Sequence, residues 1–165
     1  MTLYFRDNFF SSGMTEIMND SGETVGELDL KSSFSASLDV CDLTGRTLCS
    51  GKFPFFSGRW EVTDEDDRLL GELRSRMSFF SQRYEYDAGG RGLYEINSPA
   101  FTQDYFIQRE NEGETVATFE RTSGWLHSGA YSLENYSTEL SDYELVVVVL
   151  GVHAIRKRRS NAAAT

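Results

Sequence analysis

Leu145-Val-Val-Val-Val-Leu-Gly-Val-His-Ala-Ile155, stopped by Arg156-Lys157-Arg158-Arg159, is the most continuously apolar stretch of the sequence, and its reading decides the fold. At 11 residues it falls short of the about 20 that a helix needs to cross a bilayer, so a transmembrane reading is set aside. Four consecutive valines favour a strand, because β-branching restricts χ1 in a helix. Ser141-Asp142 offers an N-cap before Tyr143-Glu144, and the acidic start and arginine-rich end match a helix dipole over about 142–157. The residues alone leave strand and helix open. Either way, a segment apolar on every side has to be enclosed, and the rest of the chain must supply the shell.

With 165 residues, 39% hydrophobic and 13% aromatic, the chain is long enough for one domain with a substantial core. A formal net charge of -10 argues against nucleic acid as a partner, since phosphate neutralisation needs a basic face. The opening residues contain Asp7 and no apolar run of signal length, so a cytoplasmic protein with free thiols is expected, Cys41 and Cys49 included. Those two cysteines flank a turn and face each other in only one hairpin register, and two ligands do not make a structural zinc site.

The chain repeats. A turn-forming Asp recurs at Asp20, Asp42, Asp64 and Asp87, with spacings of 22, 22 and 23 residues. After each comes an apolar-punctuated strand, Thr24–Leu30, Thr47–Phe53, Leu69–Leu73 and Gly92–Ile96, with Glu114–Glu120 as a fifth copy. Each strand reaches an aromatic corner, at Phe34-Ser35, Phe55-Phe56-Ser57, Phe79-Phe80-Ser81, Phe101-Thr102 and Trp125-Leu126, and a second strand returns. Trp60 and Val62 alternate with Arg59, Glu61 and Thr63, and Tyr84 and Tyr86 alternate with Arg83, Glu85 and Asp87. Period-2 alternation marks an antiparallel sheet with one buried face. Ser128–Leu133 and Tyr136–Leu140 read as the last two strands. A long meander leaves two unpaired edges, which closure into a barrel removes. At about twelve strands the interior is too wide for strand side chains alone, and the terminal apolar segment would fill it.

The opening Leu3-Tyr4-Phe5 with Phe9-Phe10-Ser11, the Phe corners at Phe34, Phe56 and Phe80, the Asp42-to-Gly45 turn and the final apolar stretch together resemble the LURP-one-related family, within the Tubby C-terminal-like superfamily. The resemblance covers nearly the whole chain. It implies a mainly β fold: a closed antiparallel barrel of about twelve strands around a central hydrophobic C-terminal helix, one domain over 1–159, and a disordered tail over 160–165. The core of that helix would be Leu145, Val146, Val148, Val149, Val152 and Ile155. Two features depart from the family pattern, the valine-richness of the segment and Gly151 within it.

Tubby domains bind phosphoinositides through basic groups on the barrel, so the resemblance implies anionic phospholipid as one partner class, with another protein as the alternative. The basic cluster here is Arg156, Lys157, Arg158 and Arg159, which either meets anionic head groups or caps the helix and trails into solvent. Arg74, Arg76 and Arg83 lie beside Glu72 and Glu85 and read as surface ion pairs. His127 and His153 lack motif-spaced partners, and there is no Gly-x-Ser-x-Gly, no His-Glu-x-x-His and no phosphate-binding glycine loop. Asp64-Glu-Asp-Asp67 lacks the spacing of a calcium loop and reads as a solvated turn. The expectation is a non-catalytic binding or scaffold module without cofactor or metal, cytoplasmic or peripheral at a membrane, with an uncharacterised enzyme as a third reading.

Overall fold

The structure, a computed structural model, describes residues 1–11, 13–31, 37–76, 82–99, 102–122 and 131–164. Twelve strands are formed among them: β1 (Thr2–Phe5), β2 (Gly13–Met18), β3 (Thr24–Leu30), β4 (Ser37–Cys41), β5 (Thr47–Lys52), β6 (Trp60–Asp64), β7 (Leu69–Arg76), β8 (Arg83–Asp87), β9 (Leu93–Asn97), β10 (Tyr105–Arg109), β11 (Thr115–Arg121) and β12 (Tyr131–Asn135). Every strand pairs antiparallel with its sequence neighbours, and β1 closes the barrel on β12 with Leu3 opposite Leu133. Helix α1 (Asp142–Ala163) follows.

The repeat is a hairpin corner built by a side chain. The Oδ1 of Asp42 accepts the backbone N–H groups of Thr44 and Arg46, at 2.8 and 3.0 Å. Asp64 does the same for Asp66 and Arg68, each at 2.9 Å. In the first copy the acceptor is Asn19, which takes Ser21 and Glu23 at 2.9 and 3.0 Å; the neighbouring Asp20 is not the turn residue. An amide oxygen serves as well as a carboxylate here, so a search for Asp alone lands one residue late. The fourth corner residue takes positive φ, at Gly22, Gly45 and Asp67, and the strand pairing then slips by one residue at Met18, Cys41 and Thr63. That is the bulged hairpin of a left-handed fourth residue.

Trp60, Val62, Tyr84 and Tyr86 are all buried as expected, but Thr63 and Glu85, expected on the solvent face, are buried as well, Glu85 beneath its ion pairs with Arg74 and Arg76. Cys49 pairs opposite Val40 while Cys41 pairs opposite Thr47, so the hairpin register keeps the two free thiols apart. Tyr136–Leu140 is not a strand. Asn135 Oδ1 accepts the Ser137 N–H at 2.8 Å, and Ser137 Oγ accepts the N–H groups of Glu139 and Leu140, each at 3.0 Å. Such local side-chain bonds compete with a sheet ladder, and here they turn the chain into the barrel. Closure pairs β1, from the start of the chain, with β12, whose Tyr131–Leu133 is the described part of the expected Ser128–Leu133 strand.

Helix α1 fills the interior. Leu145, Val146, Val148, Val149, Val152 and Ile155 are all buried, and so are Val147, Leu150 and Ala154 between them. The helix continues to Ala163, so residues 160–163, expected in the tail, are helical and exposed. Gly151 is a packing requirement rather than an interruption. A Cβ there would stand 2.4 Å from Trp60 Cδ1, and one at Gly51 of β5 would stand 2.4 Å from Trp60 Cζ2. The indole occupies the slot these two bare backbones leave, with Phe53 edge-on at 5.0 Å.

Candidate functional site

An up-and-down meander puts alternate corners at opposite ends of the barrel, and the two ends differ. The Asn19, Asp42, Asp64 and Asp87 corners share the end where α1 starts. That end is plugged by a buried ion pair. Ser141 Oγ caps the helix by accepting the Glu144 N–H at 3.2 Å, which points the Glu144 side chain inward. Glu144, 1% exposed, receives Arg91 Nη1 on Oε2 at 2.7 Å, and Arg91 Nη2 and the Tyr86 hydroxyl on Oε1 at 2.8 and 2.5 Å. Arg91 also donates to the carbonyls of Leu70 and Glu139 at 2.7 and 3.1 Å. Burial and the Glu144 carboxylate push the Tyr86 phenol well up, and the hydrogen bonds Arg91 donates to Glu144 hold Arg91 firmly charged. Both terminal guanidinium nitrogens of Arg91, the Tyr86 hydroxyl and the Glu144 carboxylate are paired within this cluster, as in a structural plug. Sequence reasoning missed Arg91, which lies in the short 3-10 turn Gly89–Arg91 with no periodic signal, and saw Glu144 only as a helix-dipole residue.

The opposite end is a basic mouth. Around the emerging helix, Arg156, Arg158 and Arg159 fan out to the rim, each donating to a neutral oxygen. Arg156 reaches the Tyr105 hydroxyl at 3.2 Å, Arg158 the Ser57 carbonyl at 3.0 Å, and Arg159 the Ser75 hydroxyl at 2.8 Å. The Arg158 guanidinium also sits over the Phe53 ring, 4.4 Å from its centroid. These residues belong to the last turns of α1 and staple it to the wall.

Beside Arg158 the β5–β6 corner carries two aromatic rings in water. Phe55 is 89% and Phe56 93% exposed, and Phe56 takes φ 60°, an uncommon conformation for a residue with a side chain. Sequence reasoning took this pair for an ordinary strand corner. The corresponding residues Phe34, Phe79, Phe80, Phe101, Trp125 and Leu126, and with them His127, lie outside the described residues.

On the other flank of the helix is a cleft of about 840 Å³, lined by Gln82, Tyr84, Gln103, His153, Arg156 and Arg159, with Lys157 at its wall. His153 packs on the Phe10 ring at 4.5 Å between centroids. Burial, then the Lys157 and Arg156 charges, lower its pKa to about 4, so at neutral pH it is an uncharged donor and acceptor.

Other ion pairs run along the wall of the barrel. Glu85 takes Arg74 and Arg76, Glu72 takes Arg59 at 3.1 Å, and Arg83 reaches Glu95 at 3.5 Å. Among the described residues no group of three or more His, Cys, Asp and Glu side chains gathers to hold a metal, and no helix is long and apolar enough to cross a membrane.

No curated protein matches this sequence. The X-ray structure of a protein from Arabidopsis thaliana shares the fold, with a TM-score of 0.58 at 13% identity over 97% of this chain and 91% of that one. A sequence model of LURP-one-related proteins matches residues 1–152, which takes in all twelve strands and α1 as far as Val152, and leaves the basic mouth residues Arg156 to Arg159 beyond it. The chain belongs to the LURP-one-related family.

Proposed function

We propose that this barrel is a non-catalytic binding module that docks on anionic phospholipid surfaces with the mouth from which α1 emerges. The observation that carries the reading is the side-by-side placement of exposed Phe55 and Phe56 with Arg158 at one end of the barrel. Aromatic rings at a headgroup boundary bury apolar area, and each basic residue near an anionic surface adds about 1 kcal/mol. Arg158, beside the rings, thus supplies about 1 kcal/mol, and the two rings supply the part that salt does not screen. The net charge of -10 does not oppose this orientation. The acidic corners, Asp64-Glu-Asp-Asp67 foremost, share the far end with the start of α1, so the mouth meets the membrane and the acidic end faces away.

Flotation with phosphatidylcholine vesicles, with and without phosphatidylserine, tests the proposal. The protein is expected to float with the anionic vesicles, less at high salt, and F55S/F56S is expected to stay in the dense fraction while melting like the parent chain. Failure to float with anionic vesicles, or an unchanged F55S/F56S, overturns the reading.

A further inference from the structure

We infer that the cleft between α1 and strands β8 and β10 is a binding site for a phosphate group carried on a small organic body. The lining is one-sided in charge. Arg156, Lys157 and Arg159 reach it from the helix, and Gln82, Tyr84, Gln103 and His153 complete it with neutral polar groups. No carboxylate is among the described lining residues, in a chain with 26 Asp and Glu against 16 Lys and Arg. Asp104, next to Gln103 in sequence, accepts the Arg121 backbone N–H on its carboxylate at 3.2 Å.

Geometry separates this site from the membrane-facing one. Positions 153, 156, 160 and 163 follow helical spacing and share one side of α1, with Arg159 beside them, and all line the cleft. Arg158 points the other way, to Ser57 and Phe53. The proposal therefore stands without the membrane reading.

The donor set selects the chemistry. Arg156 and Arg159 are held by the Tyr105 and Ser75 hydroxyls, single neutral acceptors that leave most of each guanidinium fork to donate elsewhere. Gln103 Oε1 accepts from the Tyr131 hydroxyl, which leaves its amide N–H groups as donors. Two forks and neutral donors match the several oxygens and the double charge of a phosphomonoester better than the two oxygens of a carboxylate. A volume of about 840 Å³ exceeds what a bare ion fills, so the phosphate comes attached to something larger. That body is either soluble or the glycerol end of a lipid.

The test uses the full chain and pyrophosphate as the soluble probe, titrated at constant ionic strength against chloride and followed by calorimetry and by the His153 imidazole proton resonance. Saturable binding is expected, with a rise in the His153 pKa as the anion offsets Arg156 and Lys157. R156Q and R159Q are each expected to bind about tenfold more weakly, from the loss of one charge-assisted donor set. R158Q, on the opposite side of the helix, is expected to bind pyrophosphate like the parent while losing affinity for phosphatidylserine vesicles, so failure of this site and failure of membrane docking are read separately. Vesicles with phosphatidic acid, a phosphomonoester, distinguish the source. If they bind better than phosphatidylserine vesicles and lose that advantage in R159Q, the phosphate is a headgroup; if they do not, while pyrophosphate saturates, it is soluble. No saturable pyrophosphate binding, an unmoved His153 resonance, or unchanged affinity in R156Q and R159Q overturns the proposal.

Discussion

Replacing Gly151 with alanine sets two effects of opposite sign against each other. In a solvent-exposed helix the change stabilises by about 1 kcal/mol, because glycine has the larger backbone entropy to lose. Here the added Cβ would stand 2.4 and 2.6 Å from Trp60 Cδ1 and Nε1, and 2.9 Å from Leu73 Cδ2. Leucine's methyl can rotate away, but the indole cannot. Trp60 is fully buried, and its far edge already abuts the bare backbone of Gly51 and the Val147 side chain behind it. An overlap of this depth on a ring with no room to retreat lies at the upper end of the ~1–3 kcal/mol overpacking range. The expected net change is therefore a loss of about 2 kcal/mol, or roughly 4–8 °C in Tm for a chain of this size. Urea unfolding followed by far-ultraviolet circular dichroism and tryptophan fluorescence measures it. The double variant G151A/W60F, with the smaller ring, is expected to recover much of the loss relative to W60F alone. A G151A protein as stable as the parent, or more so, would refute the packing argument and return Gly151 to the status of a helix defect.

Removing Arg91 strands the Glu144 carboxylate, so R91M is expected to cost about 3–5 kcal/mol in urea unfolding, and R91M/E144L is expected to recover most of that; an additive cycle would deny the pair any coupling. The Asp42 carboxyl is held below its usual range by the Thr44 hydroxyl and the Arg46 N–H, so its contribution to stability is complete above the ordinary carboxylate range and is lost as pH falls through the lowered folded-state value. D42N is expected to keep the fold, as Asn19 does in its own corner, and to flatten the acid limb of the stability curve; superimposable curves for the two proteins would contradict this. Burial pushes the Cys49 thiol up to about 12, so a thiol reagent on the native protein is expected to modify the half-buried Cys41 first and Cys49 only in denaturant. Equal rates at the two sites would place Cys49 outside the core.

How much of this was legible from residues depends on whether the deciding interaction is local. The corner at Asp42 is local: the acceptor, the donors at Thr44 and Arg46 and the left-handed Gly45 lie within five residues, so the hairpin period shows in the sequence. The alternation of Trp60 and Val62 is likewise a property of one strand. Tyr136–Leu140 was misread because its apolar ends resemble a strand while its backbone bonds go to Asn135 and Ser137 side chains. Arg91 with Glu144, and Arg156, Arg158 and Arg159 with Tyr105, Ser57 and Ser75, join positions about 50 to 100 apart. No period or motif announces such pairs, so the plug and the cleft emerge only once the barrel brings the segments together. Phe55 and Phe56 were visible as residues, but their exposure was not.

Valine 146 to 149 is where propensity and fold disagree most sharply, and backbone accounting shows why the helix prevails. A strand threaded through a closed barrel finds no edge to pair with, because each of the twelve strands already has two partners. Its N–H and C=O groups would be buried without acceptors or donors, at about 1–3 kcal/mol for each. A helix satisfies them within itself, and placing valine in it costs at most about 0.7 kcal/mol per residue, or roughly 3 kcal/mol for four. The enclosed helix also bears on where the proposed ligands would act. Its side chains pack against Trp60, Tyr86 and Leu73 in the core, and at one end Glu144 pairs with both terminal guanidinium nitrogens of Arg91. The proposed binding is left to the other end, where α1 outruns the barrel and presents Arg156, Arg158 and Arg159 to neutral oxygens, with a cleft on one side and two exposed phenylalanines on the other.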